Sequence, residues 1–161
     1  MTIAQVNALP RAEFVEELGW IFEHSPWVAE RAWDRRPFAS LAELHLAMRA
    51  VVERATRDEQ LALLCAHPDL GSRASMSRAS KDEQAGAFAS GGPLLPEELQ
   101  RYRRKFGFPF IYAVKGGSAP SDIAFALWVR IEETAEEEFQ QALSEVSSIA
   151  WFRLQDKVKE S

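Results

Sequence analysis

The chain has 161 residues, 47% of them hydrophobic and 27% charged, with a formal net charge of −5. That is the length and mix of one globular domain able to bury its own core, which excludes a disordered or fibrous chain. The acidic balance argues against a nucleic-acid partner, which calls for a basic face.

A lone cysteine, Cys65, excludes an intramolecular disulfide and fits a reducing compartment. Met1-Thr2-Ile3-Ala4-Gln5 lacks the charged and apolar regions of a secretory signal, and no apolar run approaches the ~20 residues of a membrane span. A cytoplasmic enzyme or binding domain with no membrane association is therefore expected.

Apolar residues recur at a spacing of 3.6 and hardly ever alternate, which predicts an all-α fold: a single-domain compact bundle of about seven to nine helices over residues 1–161. Pro10 is expected to open a first helix carrying Phe14, Leu18 and Ile21. Ser25-Pro26 reads as an N-cap followed by an N1 proline, with Pro37 ending that helix. Ser40-Leu41-Ala42-Glu43 is a capping box ahead of the stripe Leu41, Leu44, Met48, Val51 and Val52. Asp58 is expected to cap the next helix, which carries Leu61, Leu63 and Leu64. It stops at His67-Pro68, because a residue before proline avoids the α region.

Residues 71–80 read as a loop and a short helix is expected after Ser80, broken by Ser90-Gly91-Gly92-Pro93. Pro96 opens a helix through Arg104. Gly116-Gly117-Ser118 is a turn, and the nearly all-apolar stretch from Ile123 to Ile131 predicts a buried central helix. Thr134-Ala135-Glu136-Glu137 is a second capping box, opening a last helix with Phe139, Leu143, Val146, Ile149, Ala150 and Leu154 on one face.

Four places could carry chemistry. His67, one of three histidines, ends a helix, where the negative end of the dipole favours an imidazolium; its ordinary pKa of ~6.5 suits proton exchange near neutrality. The bland alternative is a structural cap. Ser80-x-x-Glu83 is either another capping box or a carboxylate that orients His67 beside a helix start able to hold an anion. In Phe106-Gly107-Phe108-Pro109-Phe110-Ile111, Pro109 must kink or open the helix. The opened amides at 108–112 could meet a small heterocycle between phenylalanine walls. Arg153, among apolar neighbours, either snorkels to the surface or needs a carboxylate from the protein or a ligand.

His24 and His45 are weaker candidates, and the basic run 101–105 is either a solvated face or an anion patch. Metal-ligand spacings and nucleotide-binding glycine motifs are absent, so no metal and no cofactor is expected.

Glu23-His24-Ser25-Pro26-Trp27-Val28-Ala29-Glu30, Arg36-Pro37-Phe38, His67-Pro68-Asp69-Leu70, Ser80-x-x-Glu83-Gln84, the 105–111 run and Ile149-Ala150-x-x-Arg153-Leu154 together, and in this order, resemble the 2-oxo-4-hydroxy-4-carboxy-5-ureidoimidazoline (OHCU) decarboxylase family. The resemblance implies an all-helical homodimer that decarboxylates a small-molecule substrate of urate degradation to (S)-allantoin without a cofactor. It further implies that His67 is catalytic with Glu83 as its acidic partner. Pro68, Ser80, Gln84, Phe108, Phe110, Ile111, Tyr112 and Arg153 would then bind substrate. The sequence departs from the family pattern in a shorter 86–104 stretch and in Trp128-Val129, where polar residues are common. Two other readings stand beside this one: a lyase or hydrolase for a different ureido or imidazoline substrate, and a non-catalytic helical binding module using the last helix and the 101–105 run.

Overall fold

The structure, a computed structural model, describes residues 1–69, 96–114 and 120–161. The expectations placed on 71–80, on the helix after Ser80, on Ser90–Pro93 and on the Gly116 turn lie outside them. Eight α-helices occur among the described residues: α1 (Ile3–Ala8), α2 (Arg11–Leu18), α3 (Trp27–Ala32), α4 (Leu41–Arg54), α5 (Arg57–Ala66), α6 (Pro96–Phe106), α7 (Pro120–Arg130) and α8 (Ala135–Lys157). A 3-10 turn, Trp33–Arg35, follows α3, and the only β pairing among these residues is a one-residue bridge between Thr2 and Lys159. The fold is all-α, as the 3.6-residue patterning requires.

The chain divides into two compact units, Met1–Ala66 with Ser147–Ser161, and His67–Val146; the division falls within α8. In the first unit, α3 packs on α4 and α2. Phe14 and Leu18 of α2, Val28 and Ala29 of α3 and Leu44 and Met48 of α4 are fully buried, each large side chain contributing about 1.5–3 kcal/mol through lost apolar surface.

Local signals explain the helix ends. α1 was not anticipated, yet its start is written in the sequence: Thr2 and Gln5 form a reciprocal capping box. Pro10 precedes α2 as expected, but that helix ends at Leu18, and Ile21 is buried in the turn beyond it rather than on the helix. Ser25 does not cap α3 with its side chain; its hydroxyl donates to the Glu23 carbonyl (2.8 Å). Ser40 accepts from the Glu43 amide (3.1 Å) and starts α4. For α5 the cap is Thr56, not Asp58: Thr56 Oγ1 accepts from the Glu59 N–H and Glu59 Oε1 accepts from the Thr56 N–H, both at 3.1 Å. Two residues separate the partners in that pair, and Asp58 has no such counterpart at its own +3 position, Leu61. α5 stops at Ala66, one residue before His67-Pro68.

The second unit is built on aromatic rings. Tyr102 of α6 contacts Phe106, Phe108 and Phe110, and Phe108 meets Phe139 of α8, with centroids 4.7–6.1 Å apart in the edge-on and tilted orientations aromatic pairs favour. α7 corrects the expectation of a fully buried central helix. Ile123 and Leu127 are buried one turn apart, but Phe125 and Trp128 on its other side are 63% and 71% exposed. At the start of α8, the Thr134–Glu137 box forms in both directions at 3.2 Å.

Candidate functional site

His67 is buried, only 6% exposed, in the residue after α5. Pro68 ends the helix there, which places the imidazole on the first residue beyond α5. Two residues on, Asp69 accepts a 3.4 Å contact from Arg103 of α6. Both groups are well exposed, so this pair adds little to stability, but it ties the His67-Pro68-Asp69 run to α6.

The 105–114 segment takes its shape from Gly107 and Pro109. Gly107 has φ of +82° and its N–H donates to the Arg103 carbonyl (2.8 Å), the left-handed closure that ends many helices and that favours glycine. Pro109 forbids any resumption of the helix. Residues 108–114 therefore run as non-helical backbone, opened rather than merely kinked. Phe108, Phe110 and Ile111 are buried and Tyr112 is half-buried. The Phe108 and Phe110 rings pack in the aromatic core of the unit, so what this segment can offer a ligand is chiefly its main chain.

That main chain is held by a buried network which the sequence reading did not single out. Arg130, at the end of α7, donates from Nε to Glu138 Oε1 (2.7 Å) and from Nη1 to the Ile111 carbonyl (2.7 Å), and lies over the Phe110 ring at 4.4 Å. Tyr102 donates its hydroxyl to the same Glu138 carboxylate. Burial, and then this hydrogen bond, pushes the Tyr102 phenol above its ordinary range, so it stays a donor. Glu145 lies 3.7 Å from Arg130 Nη1 and accepts from the Ala113 N–H (2.9 Å). Arg130 in an otherwise apolar run was the available signal, because a buried guanidinium demands a carboxylate.

Arg153 is 3% exposed, which overturns the snorkelling alternative. Its partner is a protein carboxylate: Nη2 donates to Glu23 Oε2 (2.8 Å), while Nη1 donates to the Trp20 and Ile21 carbonyls (3.1 and 3.3 Å). Glu23 is itself buried in the turn after α2, beside His24 at a left-handed φ of +46°. The need for a carboxylate was legible in Arg153; that Glu23 would meet it was not, since 130 residues separate the two.

His67 and the 108–112 segment thus belong to one unit, and Arg153 with Glu23 to the other. Ser80, Glu83 and Gln84 lie outside the described residues. His45 is settled as a structural residue: its Nε2 contacts the Ser147 carbonyl (2.9 Å) against Trp151, and burial lowers its pKa. The 101–105 run is a solvated face around buried Tyr102, apart from Lys105, which donates to the Ile131 carbonyl (2.5 Å). Among the described residues no group of His, Cys, Asp and Glu could hold a metal ion, and no helix is long and apolar enough to cross a membrane.

The described residues thus combine an all-α fold, a buried histidine just beyond a helix end and an opened, anchored backbone segment. Comparison with known proteins makes the class specific. The OHCU decarboxylase family model matches residues 7–155. A 2-oxo-4-hydroxy-4-carboxy-5-ureidoimidazoline decarboxylase of Haloferax volcanii is 48% identical, covering 98% of this chain and 96% of its own. The uric acid degradation bifunctional protein of Bacillus subtilis is 43% identical over 99% of this chain, which spans 33% of that longer protein. A crystal structure of (S)-allantoin synthase superposes with a TM-score of 0.76 at 33% identity over 99% of this chain; the chain spans 54% of that one. The chain belongs to the OHCU decarboxylase family.

Proposed function

We propose that this chain is a carboxy-lyase of urate degradation that converts 2-oxo-4-hydroxy-4-carboxy-5-ureidoimidazoline to (S)-allantoin and CO2 without a cofactor. The observation that carries the reading is the family match across residues 7–155, with His67 buried at its helix-terminal position inside that match.

The substrate supplies its own electron sink. Its C4 bears both the carboxylate and the hydroxyl and adjoins the C5=N bond of the imidazoline. Breaking the bond from C4 to the carboxylate releases CO2, and the electron pair forms C4=C5 while the C=N pair moves onto nitrogen, which takes a proton. The resulting enol loses its hydroxyl proton as C5 gains one, leaving the C4 carbonyl and the C5–H stereocentre of allantoin. The protein has to orient the ring, hold the developing charge and move protons on one face.

His67 is the proton carrier in this scheme, acting on the hydroxyl or on C5, with Glu83 setting its tautomer. Arg153 receives the substrate carboxylate side, and Pro68, Ser80, Gln84 and the 108–112 segment hold the ring. The chain acts as one domain over residues 1–161, as a cytoplasmic homodimer; the exposed thiol of Cys65 fits a reducing compartment.

The test mixes the purified protein with freshly generated ureidoimidazoline and follows product circular dichroism. Accelerated formation of one allantoin enantiomer is the expected result. A rate equal to the spontaneous one would overturn the reading in favour of a binding module.

A further inference from the structure

We infer that Glu145 and Arg130 are positioning residues that aim the main chain of Tyr112 at the ligand, so that one residue presents a donor and an acceptor side by side. The inference rests on the proposed role of the 108–112 segment and names what shapes it.

The geometry follows from two anchors. The Ile111 carbonyl accepts from Arg130 Nη1 (2.7 Å), and the Ala113 N–H donates to Glu145 Oε2 (2.9 Å). The two anchoring side chains lie together, 3.7 Å apart. Neither peptide is cis, and in a trans peptide the C=O and the N–H point in opposite directions. With the Ile111 carbonyl turned toward the anchors, the Tyr112 N–H must point away from them. With the Ala113 N–H turned toward them, the Tyr112 carbonyl must point away as well.

Residue 112 therefore exposes its donor and its acceptor on the same side, as a residue on a sheet edge does. The described residues supply no hydrogen-bond partner to either group. A donor beside an acceptor complements the cis N–H and C=O of a lactam or cyclic ureide. That pairing selects such a ring edge over a plain carboxylate, which offers acceptors only.

The anchors are themselves fixed. Glu138 binds Arg130 through Nε and Nη2 and accepts from Tyr102, and the Phe110 ring lies against the guanidinium. Backbone orientation is thus settled before a ligand arrives, and binding does not have to bear that ordering cost.

Glu145 is the residue to change, because 17% of its side chain reaches solvent and removing it leaves Arg130 with Glu138. Glu145→Leu is expected to raise KM for the ureidoimidazoline roughly tenfold, the worth of about one well-placed hydrogen bond, with kcat much less affected. Glu145→Gln, whose amide oxygen can still accept from Ala113, is expected to restore most of that loss. In the wild-type protein the Ala113 amide should exchange slowly with deuterium, and in Glu145→Leu quickly. If Leu lowers the melting temperature, Glu145→Ser is measured in the same way.

An active wild-type enzyme whose KM is unmoved by Glu145→Leu and Glu145→Ser overturns the positioning role alone. Equal KM values for Gln and Leu also overturn it. A wild-type protein that does not accelerate the reaction overturns both the positioning role and the functional reading beneath it.

Discussion

In the proposed reaction a single imidazole, that of the buried His67, moves the protons. His67→Ala should lower turnover by roughly 10²-fold or more if the ring is a general acid or base, read as the initial rate of the circular dichroism signal; a rate near wild type would exclude it. Arg153 needs a different test because its guanidinium also holds the fold. Glu23→Ala takes the Glu23 carboxylate away from a buried guanidinium and should cost about 3–5 kcal/mol in urea unfolding. Glu23→Leu combined with Arg153→Met should recover most of the loss, since an apolar pair of similar size removes both charges. A double variant as unstable as Glu23→Ala would show that the ion pair is not the source. The local features of the candidate residues were legible for local reasons: the helix stop at His67-Pro68, the opened backbone after Gly107 and Pro109, the buried arginine on an apolar stripe. Their partners were not, because Glu23 to Arg153 and Arg130 to Ile111 are contacts that only the folded chain creates.

At the scale of elements, legibility tracked the strength of punctuation. The Ser40 N-cap, the Thr134 capping box and the proline stop after His67 mark helix ends that the structure reproduces; at Ser40 the box itself does not close, because Glu43 accepts from the Ala39 N–H instead. The Asp58 assignment failed because an acidic first turn and a true N-cap look alike until the reciprocal partner is counted, and Thr56-Arg57-Asp58-Glu59 has that partner. Thr56→Ala should therefore cost about 1 kcal/mol, read as a lowered urea midpoint at neutral pH. The same box gives a pH dependence. Arg31, and then the Thr56 N–H, hold the Glu59 carboxyl at about 2 against an ordinary 4.5. The folded state therefore prefers the ionised form, and its contribution is complete above pH 4.5 and is lost as pH falls toward 2. Glu59→Gln should flatten this part of the acid limb in thermal melts taken between pH 5 and pH 2; an unchanged slope would show that Glu59 does not feed it.

For the whole molecule, the informative departure is α7. An apolar run such as Ile123–Ile131 reads as a buried helix because sequence records hydrophobicity and not what covers it. Ile123 and Leu127 do face the core of their unit, but Phe125 and Trp128 pack on each other at 6.0 Å and remain largely open. Exposed aromatic pairs are uncommon on monomers and usual at contacts between chains, where tryptophan is enriched. The proposed homodimer gives this face an occupant, a second copy of the chain meeting it across a twofold axis. Wild-type protein should then sediment at twice the 18.2 kDa chain mass at micromolar concentration, and Trp128→Glu should sediment as a monomer, because burying a carboxylate at such a contact strips it of water. The substitution lies on the solvent side of α7, so the melting temperature extrapolated to low concentration should hardly move. A wild-type chain at 18.2 kDa would remove the homodimer, whereas a Trp128→Glu variant that stays dimeric would keep the dimer and move its contact off α7.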